Sequence, residues 1–363
     1  MKKLDWYILK KFLTTFVFTM LTITVIAVVI DTSEKADDFV KSGLSTWGIV
    51  THYFFGFIPF IMSMIFPLMV FIAAIYFSSK MAAQSEFVAI LAGGVRYNRM
   101  LRPYVVGAFI LGTFFWFASQ FWVPKANEIR TNFQSTYIDP RSTYNGDLYH
   151  SNNFYLRVNA DTYVGLRYYD TTLKRAGAFF LSKIKNNHVY YNLRAEFMRW
   201  DTAKKNWALT NVVEHTNDGL KETARMIPSM NINLNVKPEE LKRDEYLKDK
   251  FTTPELIRFI RLEEIRGSEG LNTYKEERYH RDATPFSVII LTMMGAVIAT
   301  RRVRGGSGVL LAIGLVMAAL FVIMDKFSVT FATKGNFSPM LAAWMPNIIF
   351  SFVALGLYWK APK

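Results

Sequence analysis

Two shortages narrow the class of this chain before any motif is considered. It contains no cysteine, which excludes disulfide bonds, thiol chemistry and cysteine-bound zinc. Charged residues make up only 20% of its 363 residues, whereas they make up about 25% of an average soluble domain. Six stretches lack Asp, Glu, Lys and Arg over about the 17–25 residues that a helix needs to cross a bilayer. A soluble globular protein, a disordered chain and a fibrous repeat are therefore excluded.

Familiar catalytic motifs are missing as well. The dipeptide Gly-Lys does not occur, so there is no P-loop, and neither G-x-S-x-G nor H-E-x-x-H is present. The five histidines are scattered, which favours surface or structural roles. Ion-coupled carriers place ionisable residues at membrane depth, but here only His52 lies near an apolar stretch, at its entrance. We expect either an apolar substrate or a bundle that changes shape under an external energy source.

The apolar stretches predict six membrane-spanning helices. They are Phe12–Ile30, a stretch within Trp47–Ser79, Pro103–Pro124, Ala283–Thr300, Gly305–Met324 and Gly335–Trp359. The first is expected to be an uncleaved span, because its apolar run exceeds the roughly 7–15 residues of a signal peptide. In addition, the segment from Asp31 to Glu34 is not a small-residue cleavage site.

Lys and Arg residues of the short loops lie mostly on one side of these spans. That side carries Lys2, Lys3, Lys10, Lys11, Lys80, Arg96, Arg99, Arg102, Arg301, Arg302, Arg304, Lys360 and Lys363. The opposite short loops carry Lys35, Lys41, Lys326 and Lys334, mixed with acidic residues. The positive-inside rule predicts both termini in the cytoplasm and the long segment 125–284 across the membrane. The net charge of +14 reflects this topology, and no nucleic-acid binding is expected because no basic cluster marks a soluble face.

The long segment reads first as strands and then as a helix. Short aromatic and β-branched runs predict strands at Phe154–Asn159, Thr162–Tyr169, Ala178–Ile184, Val189–Trp200, Trp207–His215 and Met230–Val236. Such regular short strands are typical of a sandwich or a barrel, and periodicity does not choose between them. Thr253 as cap and Pro254 in the first turn then predict a helix with Leu256, Phe259, Ile260 and Leu262 at helical spacing.

The loop between spans two and three contains a short amphipathic segment. Ser85 is the expected helix cap and Gly93-Gly94 the expected stop, and Phe87, Ile90 and Leu91 are expected on one apolar face. One interpretation is a helix that lies in the lipid surface. The other is a docking helix that a partner grips, with Glu86 as its ionic contact.

Small residues recur four apart in spans four and five. The pairs are Gly295 and Ala299, Gly308 and Ala312, and Gly314 and Ala318. This spacing allows helices to approach closely. Packing inside the chain's own bundle is the default interpretation, and a moving interface between subunits is the alternative.

Several segments together carry a resemblance to a known family. They are Ser85–Val95, Val123-Pro124 with Ala126–Glu128, Trp207–Asn211, Glu255–Gly270, Gly308–Gly314 and Pro339–Asn347. With the order of three spans, a β-rich insert and three spans, the chain resembles the lipopolysaccharide-export permeases LptF and LptG (YjgP/YjgQ) over almost its whole length. The resemblance does not distinguish the two paralogues.

The resemblance implies partners, a location and a site. A paralogous permease subunit, a cytoplasmic LptB-like ATPase dimer and a single-span LptC-like protein are expected, with the chain in the bacterial inner membrane and a jellyroll-like β domain in the periplasm. ATP and Mg would be used by the ATPase, and no cofactor is expected on this chain. Ser85, Glu86, Phe87, Ile90, Leu91 and Gly94 would couple to that ATPase.

Lipopolysaccharide is the substrate that the resemblance implies. It would enter sideways between span one of one subunit and span five of the other, so that Gly308, Ala312, Gly314 and Ala318 would line a lateral gate. Lys35, Lys125 and Arg130 lie at the predicted periplasmic ends of spans one and three. They are candidates either for contacts to lipid A phosphates or for ordinary interfacial anchors.

The expected fold class is a six-span α-helical membrane protein with an inserted all-β domain. The predicted domains are spans one to three with the coupling helix at about 85–95 (1–124), the β domain (125–250), a helical connector (251–284) and spans four to six (285–363). We expect a transporter subunit rather than an enzyme. A membrane scaffold that presents a β domain without transport, and another ABC permease that transmits motion, are the alternatives.

Overall fold

The computed structural model describes residues 2–138, 154–159, 161–170, 173–185, 188–202, 204–218, 221–234, 238, 247–266, 270–299, 306–335 and 337–361. Arg301, Arg302, Arg304 and Lys363, which the topology prediction used, lie outside these residues. The chain divides into two compact units. The first is Met1–Phe133, Lys248–Leu256 and Asn272–Lys363, and the second is Gln134–Leu247 and Ile257–Leu271.

The described helices run in the following order. They are α1 (Lys3–Glu34), α2 (Ala36–Lys41), α3 (Thr46–Ile49), α4 (Phe55–Ala83), α5 (Glu86–Ala92), α6 (Tyr97–Phe117), α7 (Val123–Phe133), α8 (Leu247–Lys250), α9 (Thr253–Arg266), α10 (Leu271–Ala299), α11 (Gly306–Lys334) and α12 (Pro339–Trp359). Three π-helical turns extend the described helices. Val50–Phe54 connects α3 to α4, Ala118–Trp122 connects α6 to α7, and Gln134–Ile138 follows α7. These turns keep the chain helical across what would otherwise be breaks.

Among the described residues, six helical segments are long and apolar enough to cross a membrane. They are Lys3–Glu34, Thr46–Ala83, Tyr97–Ile138, Leu271–Ala299, Gly308–Lys334 and Pro339–Trp359. Several extend beyond the predicted spans, because a helix continues in water as long as its backbone hydrogen bonds and contacts persist. The fifth span was expected to end at Met324 but continues to Lys334, which puts Asp325 and Lys326 inside α11 and not in a loop.

Helix α4 packs against α1, α7 and α11 in the first unit. Its buried residues, among them Val70, Phe71 and Ile75, join the two apolar clusters of the bundle. Gly56 lets the α7 backbone approach, because a Cβ atom there would overlap Ala126 and Arg130. Gly295 of α10 likewise lies against Phe71, Ala74 and Ile75 of α4, so the small-residue spacing of span four serves packing within the chain.

The second unit contains one seven-stranded antiparallel sheet. Its strands are β1 (Phe154–Asn159), β2 (Thr162–Leu166), β3 (Tyr168–Asp170), β4 (Arg175–Lys185), β5 (His188–Asp201), β6 (Asn206–Asp218) and β7 (Lys221–Ile232), in the order β1-β2-β4-β5-β6-β7 with β3 on β4. Long strands β4 to β7 pair through nearest-neighbour hairpins. Trp207, Leu193 and Phe179 are buried in its core.

Three local predictions in this part of the chain differ from the structure. The single strand expected at Thr162–Tyr169 is two strands, β2 and β3, which both pair with β4. The last strand was expected at Met230–Val236, but β7 begins nine residues earlier at Lys221, and residues 235–236 lie outside the described part. Lys221 to Met226 are all exposed on β7, so this half has no apolar alternation by which a strand is recognised. Helix α9 is capped by Thr252 and not Thr253: Thr252 N–H and Oγ1 donate to Glu255 Oε2 at 2.8 and 2.6 Å.

The predicted fold class is confirmed. Six apolar helices that are candidates for membrane spans are present, and an antiparallel β-sheet is inserted between the third and the fourth in sequence.

Candidate functional site

Two helices of the first unit are left largely uncovered. In the apolar 18-residue stretch of each span, only 17% of α1 and 22% of α11 is buried. The corresponding share is 44% for the second and third spans and 67% for α10. Exposed apolar side chains cover both helices, for example Phe18 and Val25 on α1 and Val316 and Phe327 on α11. Large exposed apolar faces of this kind require lipid, a partner chain or an amphipathic ligand. The helix α12 follows with 28%.

The four small residues predicted for a lateral gate divide between two faces of α11. Gly308 and Ala312 are exposed, and no described atom lies within 4 Å of a Cβ placed on Gly308. Gly314 is buried, and a Cβ there would overlap Cδ1 of Ile75 on α4. Ala318 is 1% exposed and belongs to the cluster of Phe71, Ile75 and Phe321. Gly314 and Ala318 therefore fit packing within the chain's own bundle. Gly308 and Ala312 face outward, where another subunit could approach.

Lys35, a predicted phosphate contact, lies in a polar cluster at the end of α1. Its Nζ atom forms an ion pair with Asp31 at 2.6 Å and donates a hydrogen bond to the hydroxyl of Tyr53. The Tyr53 hydroxyl in turn donates to Asp31 Oδ1 at 3.2 Å. The ammonium also lies 4.8 Å from the centre of the Tyr53 ring. These contacts fix the end of α1 to the start of the second span.

Lys125 and Arg130, the other two candidates, differ in exposure. The Lys125 side chain is 56% exposed and has Glu128 at 3.4 Å and Glu255 at 3.9 Å. Arg130 is buried: its Nε donates to Asn127 Oδ1 at 2.8 Å, and its guanidinium lies 3.9 Å from the centre of the Phe60 ring. Lys125 therefore has the accessible charge of this pair, while Arg130 joins α7 to α4.

The segment predicted to couple to an ATPase forms α5. Ser85 precedes it with φ +58° and makes no side-chain capping hydrogen bond, while its carbonyl accepts from Ala89 N–H at 3.0 Å. Gly94, with φ +79°, follows the helix end and donates to Leu91 O at 3.0 Å, as expected for a stop.

The predicted apolar residues of α5 lie at i, i+3 and i+4 of the helix but are covered to different extents. Phe87 is buried in the bundle core and Ile90 packs against that core. Leu91 is exposed on the outer side together with Val88. The short helix is thus anchored by one side and presents an uncovered apolar side, with Glu86 half-buried at its first turn.

A cavity of about 470 Å³ lies within the first unit where α4, α10, α11 and α12 meet. Phe60, Leu68 and Phe115 belong to its apolar part. Its polar part is formed by Lys248 and Asp249, by the first three turns of α10, and by Asp325 with Lys326 on α11. Sequence reasoning missed this polar cluster, because its members are separated along the chain and Asp325 was read as a loop residue.

Ion pairs join the helices around this cavity. His280 Nε2 of α10 lies 3.1 Å from Asp325 Oδ1 of α11. Arg281 Nε lies 2.7 Å from Glu277 Oε1, and its NH1 and NH2 groups donate to Phe251 O and Lys248 O at 2.8 and 2.9 Å. The one signal in the sequence was the Glu277 and Arg281 spacing of four residues, which suits a helical ion pair.

Asp249 lies beside this cluster outside the spanning helices. Burial, and then the nearby Glu277 carboxylate, raise the pKa of Asp249 to about 6, although Lys248 and Arg281 act in the opposite direction. No group of three or more His, Asp and Glu side chains suited to a metal ion occurs in the part of the chain that the structure describes.

The chain was compared with models of known protein families and with curated proteins. The family model described as "Lipopolysaccharide export system permease LptF/LptG" matches residues 6–360, which is nearly the whole chain. A comparison with curated proteins found no match.

Proposed function

The chain belongs to the LptF/LptG family of lipopolysaccharide export permeases, and from this premise we propose that it extracts lipopolysaccharide from the inner membrane and passes it to a periplasmic bridge. As a member of that family it is a multi-pass inner-membrane transporter subunit and not an enzyme. The energy would come from ATP, with Mg, hydrolysed by a separate cytoplasmic ATPase.

One observation carries the proposal best: α1 and α11 are the two least covered spans. A gate through which an amphipathic substrate enters sideways needs helices that are uncovered in the single chain and become covered by a second subunit. Span one of one subunit would then face span five of its paralogue. Gly308 and Ala312 supply the flat, outward part of span five that such a partner helix can approach.

The coupling part of the proposal rests on α5. Its inner side holds it on the bundle through Phe87, and its outer side presents Val88 and Leu91. A groove on the ATPase would cover this apolar side, and Glu86 would supply the ionic contact. An LptB-like ATPase dimer, the paralogous permease and a single-span LptC-like protein are the proposed partners.

Co-purification tests the proposal against its alternatives. We expect a cytoplasmic ATPase in stoichiometric amount and lipopolysaccharide carried through detergent extraction. An ATPase without lipopolysaccharide would indicate another motion-transmitting ABC permease. If neither the ATPase nor lipopolysaccharide co-purifies, the remaining alternative is a membrane scaffold that presents its β domain to periplasmic proteins.

The proposed orientation places both termini in the cytoplasm and the sheet in the periplasm. It rests on the Lys and Arg asymmetry of the short loops. A reporter fused after Lys363 should read cytoplasmic, and one inserted between Asn217 and Asp218, in the β6–β7 hairpin, should read periplasmic. Both reporters on the same side would contradict the six-span topology.

A further inference from the structure

The cavity where α4, α10, α11 and α12 meet has an opening between α4 and α11 through which a lipid chain could enter. Its apolar part is continuous with the bundle surface, because Met64 of α4 and Val322 of α11 both line it and are 60% and 41% exposed. Both residues belong to helical segments that are long and apolar enough to span a membrane. An apolar chain can therefore enter the cavity from the hydrocarbon region of the membrane.

The polar part of the cavity is expected near the membrane boundary, because its residues flank the apolar runs of their helices. Glu276 and His280 precede the apolar run of α10, and Asp325 follows that of α11. Both parts lie in one cavity, so they suit a molecule with an apolar chain and a polar head. A lipid inserted from the side has this order of parts.

Two buried oxygens in this cavity lack hydrogen-bond donors. Glu276 is 2% exposed and Asn347 is 5% exposed, and both line the cavity. Glu276 Oε1 and Asn347 Oδ1 have no hydrogen-bond partner among the described residues, whereas the Asn347 amide donates to Ala283 O at 2.7 Å. A buried acceptor without a donor destabilises the fold, so a ligand that supplies donors to both oxygens would be bound favourably.

The charges around Glu276 are already paired with one another. Glu277 is held by Arg281 and Asp325 by His280, while Glu276 forms no ion pair with any described residue. Two further cations, Lys248 and Lys326, line the cavity at its polar end, and Lys326 Nζ lies 4.0 Å from Asp325 Oδ2. The site thus offers a carboxylate and an amide oxygen to a donor head, with two ammonium groups nearby for an anion.

We propose that this cavity binds a zwitterionic phospholipid that has a primary ammonium head. The ammonium donates to Glu276 and Asn347, the phosphate lies near Lys248 and Lys326, and one acyl chain occupies the apolar part between α4 and α11. A primary ammonium supplies three N–H donors, whereas a trimethylated one supplies none. The inference concerns a structural lipid of the single chain and does not rest on lipopolysaccharide export.

Retention of lipids by the full-length protein in detergent tests the proposal. Native mass spectrometry after addition of equal phosphatidylethanolamine and phosphatidylcholine should show about tenfold preference for phosphatidylethanolamine, as expected for one lost charge-assisted hydrogen bond. This comparison uses the wild-type chain and therefore does not depend on the folding of any variant. Equal retention of the two lipids would overturn the proposal.

Variants then locate the site. Glu276→Gln should abolish the preference, and Lys248→Met should lower retention of both lipids, because both carry the phosphate. Glu264→Gln, on an exposed carboxylate of α9, is the matched control and should keep the wild-type preference. A Glu276→Gln protein that still prefers phosphatidylethanolamine, or lipid A that displaces the bound phospholipid, would refute the assignment.

Discussion

The two faces of α11 allow the gate to be separated from the core within one turn of helix. Ala312→Leu adds bulk to an exposed position, and Gly314→Leu adds it where a Cβ already overlaps Cδ1 of the buried Ile75. Ala312→Leu should change the free energy of unfolding by less than about 0.5 kcal/mol. It should slow lipopolysaccharide release if α11 meets a partner helix there.

Gly314→Leu is expected to act on folding. Overpacking a buried site is unfavourable by about 1–3 kcal/mol, and replacing a helical glycine returns up to about 1 kcal/mol. With the full return, the net loss is up to about 2 kcal/mol, which lowers the folded-to-unfolded ratio by up to roughly 30-fold. Ile75→Val removes the overlapping carbon, so the double variant should lose less than the sum of the two single changes.

Thermal unfolding in detergent and release assays in proteoliposomes measure the two effects separately. We expect Ala312→Leu to unfold like the wild type but to release less lipopolysaccharide. Gly314→Leu should unfold at lower temperature and accumulate less in the membrane. The reasoning is refuted if Gly314→Leu is as stable as the wild type and selectively blocks release, because that side of α11 would then belong to the gate.

Three further predictions concern coupling, substrate and pH. Glu86→Ala should remain in the membrane but bind less ATPase, and Glu86→Lys should bind still less if the ATPase surface is basic; wild-type ATPase stimulation by the Lys variant would remove Glu86 from the mechanism. Lys125→Ala should leave unfolding unchanged, because the side chain is 56% exposed, and should weaken binding of phosphorylated but not dephosphorylated lipid A; equal weakening of both would exclude a phosphate contact. The pKa of Asp249 rises from 3.8 to about 6 in the folded protein. The free energy of unfolding therefore falls by up to about 3 kcal/mol as the pH rises from below 4 to above 6. Asp249→Asn should therefore raise the unfolding temperature at pH 7, and raise it less at pH 4. The variant and the wild type would unfold alike at both pH values if the neighbouring charges rearrange instead, and that result would contradict the prediction. These charges are Glu277, Lys248, Arg281 and Arg130.

The sequence was most informative where a single physical requirement acts along a continuous segment. A membrane span needs an unbroken apolar run, and each predicted span overlaps a long helix over most of its length. The last helix begins at Pro339 and not at Gly335, and Thr300 and Gly305 lie outside the described residues. Strand β1 was predicted with its observed bounds, Phe154–Asn159, because aromatic and β-branched residues lie between turn residues there. The α5 helix was located by its start and by Gly94, although the sequence did not show that Leu91 is left exposed.

Features that depend on residues distant in sequence were decided only by the tertiary structure. Equal spacing of small residues could not show that Gly314 meets Ile75 while Ala312 faces outward, because the direction of a helix face is set by its neighbours. The fifth helix continued past its apolar run, and this brought Asp325 against His280 of α10. The cavity, with the two buried oxygens of Glu276 and Asn347, is formed by helices that are far apart in the sequence. Local sequence specifies which segments must leave water, whereas the partners of each buried polar group are fixed when those segments pack together.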